Sequence, residues 1–234
     1  MKPEIISRLL ASVVVAAATF GCAAHLYRHS RNTKHSLPIV AILIIGVTAL
    51  ITGLQFIFPE VLAGFRRNRE ALLAGEWWRM VTPLFVQALG WKQCFINGAA
   101  AVIVCPLAER LYGKRLVILY FVSGVLGEIF GYVWSPNSAG SSLGIAGVVG
   151  GLFAYAFLHR REVSTQAHIL ATLGFVAAVV LCFSRDTHGP PILIGALLAS
   201  SMTMLWPNKS PEPTAVGAAV AIHAASRRWL SFFR

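Results

Sequence analysis

The chain has 234 residues, 56% of them hydrophobic and only 12% charged, with a mean hydropathy of +0.68. A water-soluble domain of this size has no interior large enough for that apolar surface, so the composition points to a polytopic helical membrane protein. The formal net charge of +11 fits basic cytoplasmic loops rather than a nucleic-acid surface, and the long apolar runs lack the period-two alternation of a transmembrane β-barrel.

The first apolar run, residues 9–26, is flanked by Arg8 and by Arg28, Arg31 and Lys34. Its length of about 18 residues and its missing A-x-A site predict a retained span rather than a cleaved signal peptide. The second run, 38–58, opens with a proline suited to a helix start. Residues 59–91 are too polar to span: Glu60, Arg66, Arg67, Arg69, Glu70, Glu76 and Arg79 interrupt them. Their aromatic and leucine content predicts a segment lying in the interface, with Trp77, Trp78 and Trp91 at headgroup depth. Five further spans are predicted at 93–107, 116–134, 143–158, 167–183 and 190–206. The tail from Pro207 is too short to span and reads as flexible or membrane-surface. The division expected is therefore 1–37 for an extra span and its loop, 38–206 for the core, and 207–234 for the tail.

Cys22, Cys94, Cys105 and Cys182 lie in or beside different runs without metal spacing, and read as packing residues. The seven histidines form no HxxxH or HExxH pattern. No metal, nucleotide or other cofactor is expected. Glu128, within the 116–134 span, is an intramembrane carboxyl; it reads as neutral and hydrogen-bonded to a neighbouring helix. Gly127–Gly131 and Gly147–Gly151 read as small-residue pairs for close helix packing, the second bringing the helix of Ser142 to that of His188.

Orientation follows from Lys and Arg. With the 28–37 loop inside, the inner set is Arg28, Arg31, Lys34, Arg110, Lys114, Arg115, Arg160, Arg161, Lys209, Arg227, Arg228 and Arg234. That is twelve of the twenty basic residues, so this orientation obeys the positive-inside rule. It places Ser142 and His188 on the outer side. Ser142 precedes Arg160 by a rise of about 27 Å, close to the hydrocarbon thickness of about 30 Å, which sets it just below the outer surface. The interval from His188 to Trp206 is the same.

A serine hydroxyl needs a base to become a nucleophile, and histidine is the usual one. The tetrahedral intermediate needs donors aimed at its oxyanion. Gln93 and Asn97, four residues apart, share one helix face near the outer end of their span and both carry amide donors. Ser142, His188, Asn97 and Gln93 at similar depth make an acyl-transfer site.

These residues lie in motifs that resemble the rhomboid family of intramembrane serine proteases over residues 38–206. Gly75-Glu-Trp-Trp-Arg79 is similar to the family's Trp-Arg motif in the first external loop. Gln93-Cys-Phe-Ile-Asn97 occupies the HxxxN position, and Ala108-Glu109-Arg110-Leu111-Tyr112-Gly113 is similar to the turn that follows it. Gly140-Ser141-Ser142-Leu143 fits GxSx, and His188 with Gly195 resembles the last family helix. The resemblance implies an all-α polytopic fold, a rhomboid-like six-helix core with one extra N-terminal transmembrane span. It implies that Ser142 attacks and His188 acts as base, a dyad without an acid. Asn97 and the Ser142 backbone N–H would hold the oxyanion, with Gln93 as a further donor. It also implies transmembrane protein substrates and a multi-pass place in a cell membrane, a bacterial inner membrane.

The chain departs from the family pattern at Gln93 and Gln87, where histidines are frequent, at Ala146, where an aromatic often stacks on the base, and at Pro191, where glycine is usual. A register with Ala146 in place of the serine shifts the downstream glycines by four and is rejected. The alternative function is a catalytically inactive rhomboid-like protein that binds transmembrane helices. A small transporter would need more intramembrane charge than Glu128 and inverted repeats, which are not visible.

Overall fold

The computed structural model describes residues 3–30 and 37–205; the tail expectation for 207–234 lies outside them. Among the described residues the secondary structure is helical throughout. The elements are α1 (Pro3–Ser30), α2 (Ile39–Ile57), the short α3 (Pro59–Phe65) and α4 (Arg69–Leu73), two 3-10 turns (Trp77–Met80 and Thr82–Phe85), α5 (Trp91–Tyr112), a third 3-10 turn (Gly113–Arg115), α6 (Leu116–Trp134), α7 (Ser142–Leu158), α8 (Thr165–Phe183) and α9 (Gly189–Leu205).

Four stretches are long and apolar enough to cross a membrane: Glu4–Ser30, Ile39–Ile57, Trp91–Trp134 and Thr165–Phe183. The third, 44 residues long, folds back on itself to make α5 and α6. Gly113 permits this turn: at φ 61° it takes the left-handed conformation that a side chain disfavours, and its N–H closes α5 on the Glu109 carbonyl. Ser142–Leu158 and Gly189–Leu205 are apolar but shorter. The chain is an all-α multi-pass membrane protein, with a six-helix core of α2 and α5–α9 and α1 as an extra N-terminal span. The large side chains Leu43, Leu50, Ile96, Val133 and Val176 are each more than half exposed, a surface that lipid solvates and water would not.

Helix α7 is the central element. Every residue from Leu143 to Ala154 is buried, and small residues let its neighbours close in. A Cβ at Gly150 would collide with the Ile192 carbonyl oxygen, and one at Gly195 would lie 2.8 Å from the Gly147 Cα, so the α7 and α9 backbones touch. At Gly151 a Cβ would meet side chains alone, Leu119 of α6 at 3.0 Å and Tyr112 of α5 at 3.7 Å. The close approach of the Ser142 and His188 helices therefore comes from Gly150 and from Gly195, which lies on the Gly147 backbone; the Cβ positions of Gly147 and Gly151 face α6 instead. Gly127 packs on Pro191, and Gly131 leaves room for the Arg67 guanidinium.

The 59–91 segment forms short helices and turns, with Trp77, Trp78 and Trp91 more than half exposed. Arg79 ties it together: it bonds Glu76 (2.6 Å) and donates to the Ala63 (2.7 Å) and Arg66 (2.9 Å) carbonyls at the end of α3. Arg67 is fully buried and pairs with Glu128 of α6. It also donates to the Ser135 carbonyl from Nε (3.1 Å) and Nη2 (2.6 Å). The partner of Glu128 is thus a cation from the interfacial segment, not a group on a neighbouring helix; burial lowers the Arg67 pKa only to about 10.

Helix α1 lies along α8 for its full length, antiparallel. Ala11 packs on Ala177 and Leu181, Gly21 on Leu170, and His25 Nδ1 lies 3.0 Å from Ser164 Oγ. At the same end as His25, the Glu109 carboxylate accepts the Val40 (3.1 Å) and Ala41 (2.7 Å) N–H groups, satisfying the start of α2 and complementing its dipole. The four cysteines are free, Cys22 and Cys105 buried.

Candidate active site

The loop of residues 135–141 delivers Ser142, and the 59–91 segment braces it from below. The Arg67 N–H donates to the Ser138 carbonyl (2.9 Å), the Gly140 N–H to the Pro83 carbonyl (3.0 Å), and the Ala88 N–H to the Ala139 carbonyl (3.4 Å). Gln93 adds a side-chain tie: its Oε1 accepts the Leu89 N–H (2.9 Å) and its Nε2 donates to the Ala139 carbonyl (3.0 Å). Ser142 is the first residue of α7, so the N–H groups of that turn lack helical acceptors and form the positive end of the helix dipole.

Behind the loop runs a buried amide network. Gln55 of α2 and the Gln87 backbone exchange two bonds, Gln55 Nε2 to the Gln87 carbonyl (2.9 Å) and the Gln87 N–H to Gln55 Oε1 (2.8 Å). The Gln87 side chain then links the helices of the site: its Nε2 donates to Ser141 Oγ (3.0 Å), and its Oε1 accepts from Asn97 Nδ2 (2.8 Å). Gln87 thus aligns Asn97 with the residue preceding Ser142, while Ser141 Oγ is occupied as an acceptor.

His188 comes from the other side. Helix α8 ends in a Schellman motif: the Asp186 N–H donates to the Leu181 carbonyl (2.9 Å) and the Arg185 N–H to the Cys182 carbonyl (3.0 Å). Arg185 holds the left-handed position, φ 54°, where glycine is usual. This projects Asp186 toward the next turn. There Asp186 Oδ1 accepts the His188 backbone N–H (3.0 Å) and lies 2.7 Å from His188 Nδ1. A carboxylate only accepts, so Nδ1 carries the hydrogen and Nε2 keeps its lone pair. His188 Nε2 lies 3.0 Å from Ser142 Oγ.

Of the residues expected from the sequence, Ser142 and His188 meet in direct contact, and position 146 does not take the serine's place. Asn97 joins through Gln87. Gln93 lies beside Gly140, but both ends of its amide are engaged in holding the loop. A carboxylate that the resemblance did not imply, Asp186, stands on the far ring nitrogen of His188. Burial alone would raise the Asp186 pKa. Hydrogen bonding from the His188 side chain, the His188 charge, the His188 backbone N–H and the Arg8 charge together outweigh it, and hold the carboxyl below its ordinary 3.8. Pro191 sits in the first turn of α9, where a missing N–H costs nothing. No cluster of His, Cys, Asp and Glu suited to a metal occurs among the described residues.

The family model described as "Rhomboid domain" matches residues 74–188. Those residues are a rhomboid domain. It is 36% identical over 129 residues to Rhomboid protease GluP of Bacillus subtilis (strain 168), covering 51% of this chain and 25% of that protein. It is 35% identical over 111 residues to Putative rhomboid protease YdcA of the same organism, covering 46% and 55%. Rhomboid-like protease 3 of Toxoplasma gondii is 26% identical over 144 residues, covering 58% and 53%. The chain thus spans from a quarter to about half the length of these curated relatives. No solved structure matches it. The rhomboid match contains Asn97, Ser142, Asp186 and His188, and ends on the last of them; α1 and α2 lie outside it.

Proposed function

We propose that this rhomboid protein is an intramembrane serine endopeptidase that cleaves transmembrane helices of other membrane proteins, in a bacterial inner membrane. The observation that carries the reading is the 3.0 Å separation of His188 Nε2 and Ser142 Oγ, with Asp186 on the far ring nitrogen. His188 takes the hydroxyl proton as Ser142 Oγ attacks the scissile carbonyl. The developing oxyanion is met by N–H groups of the first turn of α7 and by the second Nδ2 hydrogen of Asn97, whose first goes to Gln87. Collapse breaks the C–N bond, and the imidazolium returns the proton to the leaving amine. Water, activated by the same imidazole, then releases the acyl group from Ser142.

Asp186 fixes the tautomer and direction of His188, the role that stacking on an aromatic at 146 would otherwise serve. The proposed division of the chain keeps 38–206 as the catalytic core. Gln93 is assigned to the loop, not to the oxyanion.

The test is covalent labelling of the purified chain by a fluorophosphonate probe, paired with cleavage of a fluorogenic transmembrane peptide. Wild type should label on Ser142 and cleave; Ser142→Ala should do neither. A wild-type chain that binds the peptide and neither labels nor cleaves is the inactive helix-binding protein instead.

A further inference from the structure

The loop that carries Asp186 and His188 is held from outside the rhomboid domain. Arg8, on the extra helix α1, reaches it with two donor groups. Nη2 donates to the Ser184 carbonyl (2.9 Å) and the Arg185 carbonyl (3.2 Å), and Nε lies 3.4 Å from Asp186 Oδ2. The two carboxylate oxygens of Asp186 are therefore divided between His188 on Oδ1 and Arg8 on Oδ2.

We infer that α1 is a built-in positioning element of the site: through Arg8 it fixes Asp186, and through Asp186 it orients the imidazole of His188. The inference rests on the protease reading above.

Three features of the chain support it. The turn needs an outside hold, because Arg185 takes a left-handed conformation without being glycine, a strained backbone that its surroundings must maintain. Arg8 bonds the carbonyls on either side of that strain, Ser184 and Arg185, where a cation also complements the C-terminal end of the α8 dipole. The register of α1 is set from Ala11 against Leu181 to His25 at Ser164, so Arg8, one turn before Ala11, is delivered by a packed helix. Finally, the charge is needed where it stands. The Asp186 side chain is only 14% exposed, and a carboxylate in that setting keeps its proton off when a cation and several donors face it. Arg8 is itself half-exposed, which limits the size of its effect.

The experiment is a double-mutant cycle on the full-length chain in detergent, with a fluorophosphonate–rhodamine probe. Labelling displaces fluoride from phosphorus by Ser142 Oγ while His188 takes the hydroxyl proton, so the saturated rate reads imidazole placement and the half-saturation concentration reads probe binding. Arg8→Gln should slow saturated labelling about fivefold, the upper range for a half-exposed ion pair, with half-saturation unchanged. Arg8→Lys should recover part of the loss, since it keeps the charge and lacks the fork. In an Asp186→Asn background Arg8→Gln should cost clearly less, only what its hold on the Ser184 and Arg185 carbonyls contributes.

Arg8→Gln labelling at the wild-type rate overturns the inference, as does an equal loss with and without Asp186. A purified chain whose intact mass lacks Arg8 overturns it as well. Rates are taken per folded molecule from thermal melts, and where Arg8→Gln does not fold, Arg8→Lys with and without Asp186→Asn carries the same comparison. A wild type that does not label at all is a different outcome: it removes the protease reading, and the inference with it.

Discussion

Gly195 of α9 faces Gly147 of α7 so closely that a methyl group on it would lie 2.8 Å from the Gly147 Cα. This contact, one turn and more below the site, sets the distance between the two helices that carry Ser142 and His188. Gly150 extends it, since a Cβ there would run into the Ile192 carbonyl.

Gly150→Ala should therefore force α7 and α9 apart. Overpacking of this kind costs about 1–3 kcal/mol, and the backbone at Ile192 has no side-chain rotation with which to yield. Gly151→Ala meets the Leu119 side chain at 3.0 Å, which can turn aside. Melting in detergent and fluorophosphonate labelling should both fall in Gly150→Ala and stay near wild type in Gly151→Ala. Equal behaviour of the two would contradict the assignment of Gly150 to the α7–α9 contact.

Ser142 and Ser141 should separate cleanly. Ser142 Oγ faces His188 Nε2, while Ser141 Oγ accepts from Gln87 Nε2. Ser142→Ala should abolish labelling and peptide cleavage. Ser141→Ala should keep measurable turnover and lose stability, by about 1–3 kcal/mol for a buried amide left unpaired. Retained cleavage in Ser142→Ala would falsify the choice of nucleophile.

Gln93→Ala should lower the melting temperature and leave turnover per folded molecule almost unchanged, because the amide joins Leu89 to Ala139. A lost oxyanion donor would behave differently, cutting turnover about 100- to 1,000-fold. Measuring both quantities on one preparation decides between the two roles.

Much of this site could be read from the chain, and the exceptions share a cause. Ser142 and His188 stand in recognisable motifs at matching depth, and helix length alone brought them to one level. Asp186 is only two residues from His188, yet the pair was not read as a unit. Its geometry depends on a Schellman turn whose left-handed position is filled by Arg185, and without a glycine there the sequence carries no sign of it. Gly147 and Gly151, four residues apart, both turn their Cβ positions to α6, while Gly150 turns its own to α9, so the spacing alone does not show which neighbour each glycine admits. The pairing of Glu128 with Arg67 spans 61 residues. A polar interfacial segment gives no sign of which arginine turns inward.

That pair should dominate stability. Arg67 and Glu128 are almost wholly buried, with 2% and 1% of their side chains exposed. Glu128→Ala leaves the guanidinium without its anion in a setting that has little water, which typically costs about 3–5 kcal/mol. Replacing both, as Arg67→Met with Glu128→Leu, should restore part of the melting temperature. It should not restore labelling to the same extent, because the Arg67 side chain also holds the Ser135 carbonyl at the start of the serine loop. Full recovery of labelling in the double variant would show that the pair serves the fold alone.

The Asp186 carboxyl makes a prediction about acid. Its folded pKa lies below the ordinary 3.8, since the donors of His188 and the charges of His188 and Arg8 outweigh burial. A depressed carboxylate pKa contributes stability that is present above the unfolded value and is lost as pH falls through the folded one. Near neutral pH, Asp186→Asn should therefore melt below wild type. As the pH is lowered past about 4, wild type should lose this contribution while the asparagine variant, having no proton to gain there, should not. The gap between their melting temperatures should narrow in that window. A gap that is unchanged across the window would mean that Asp186 is held by shape alone, and that neither His188 nor Arg8 senses its charge.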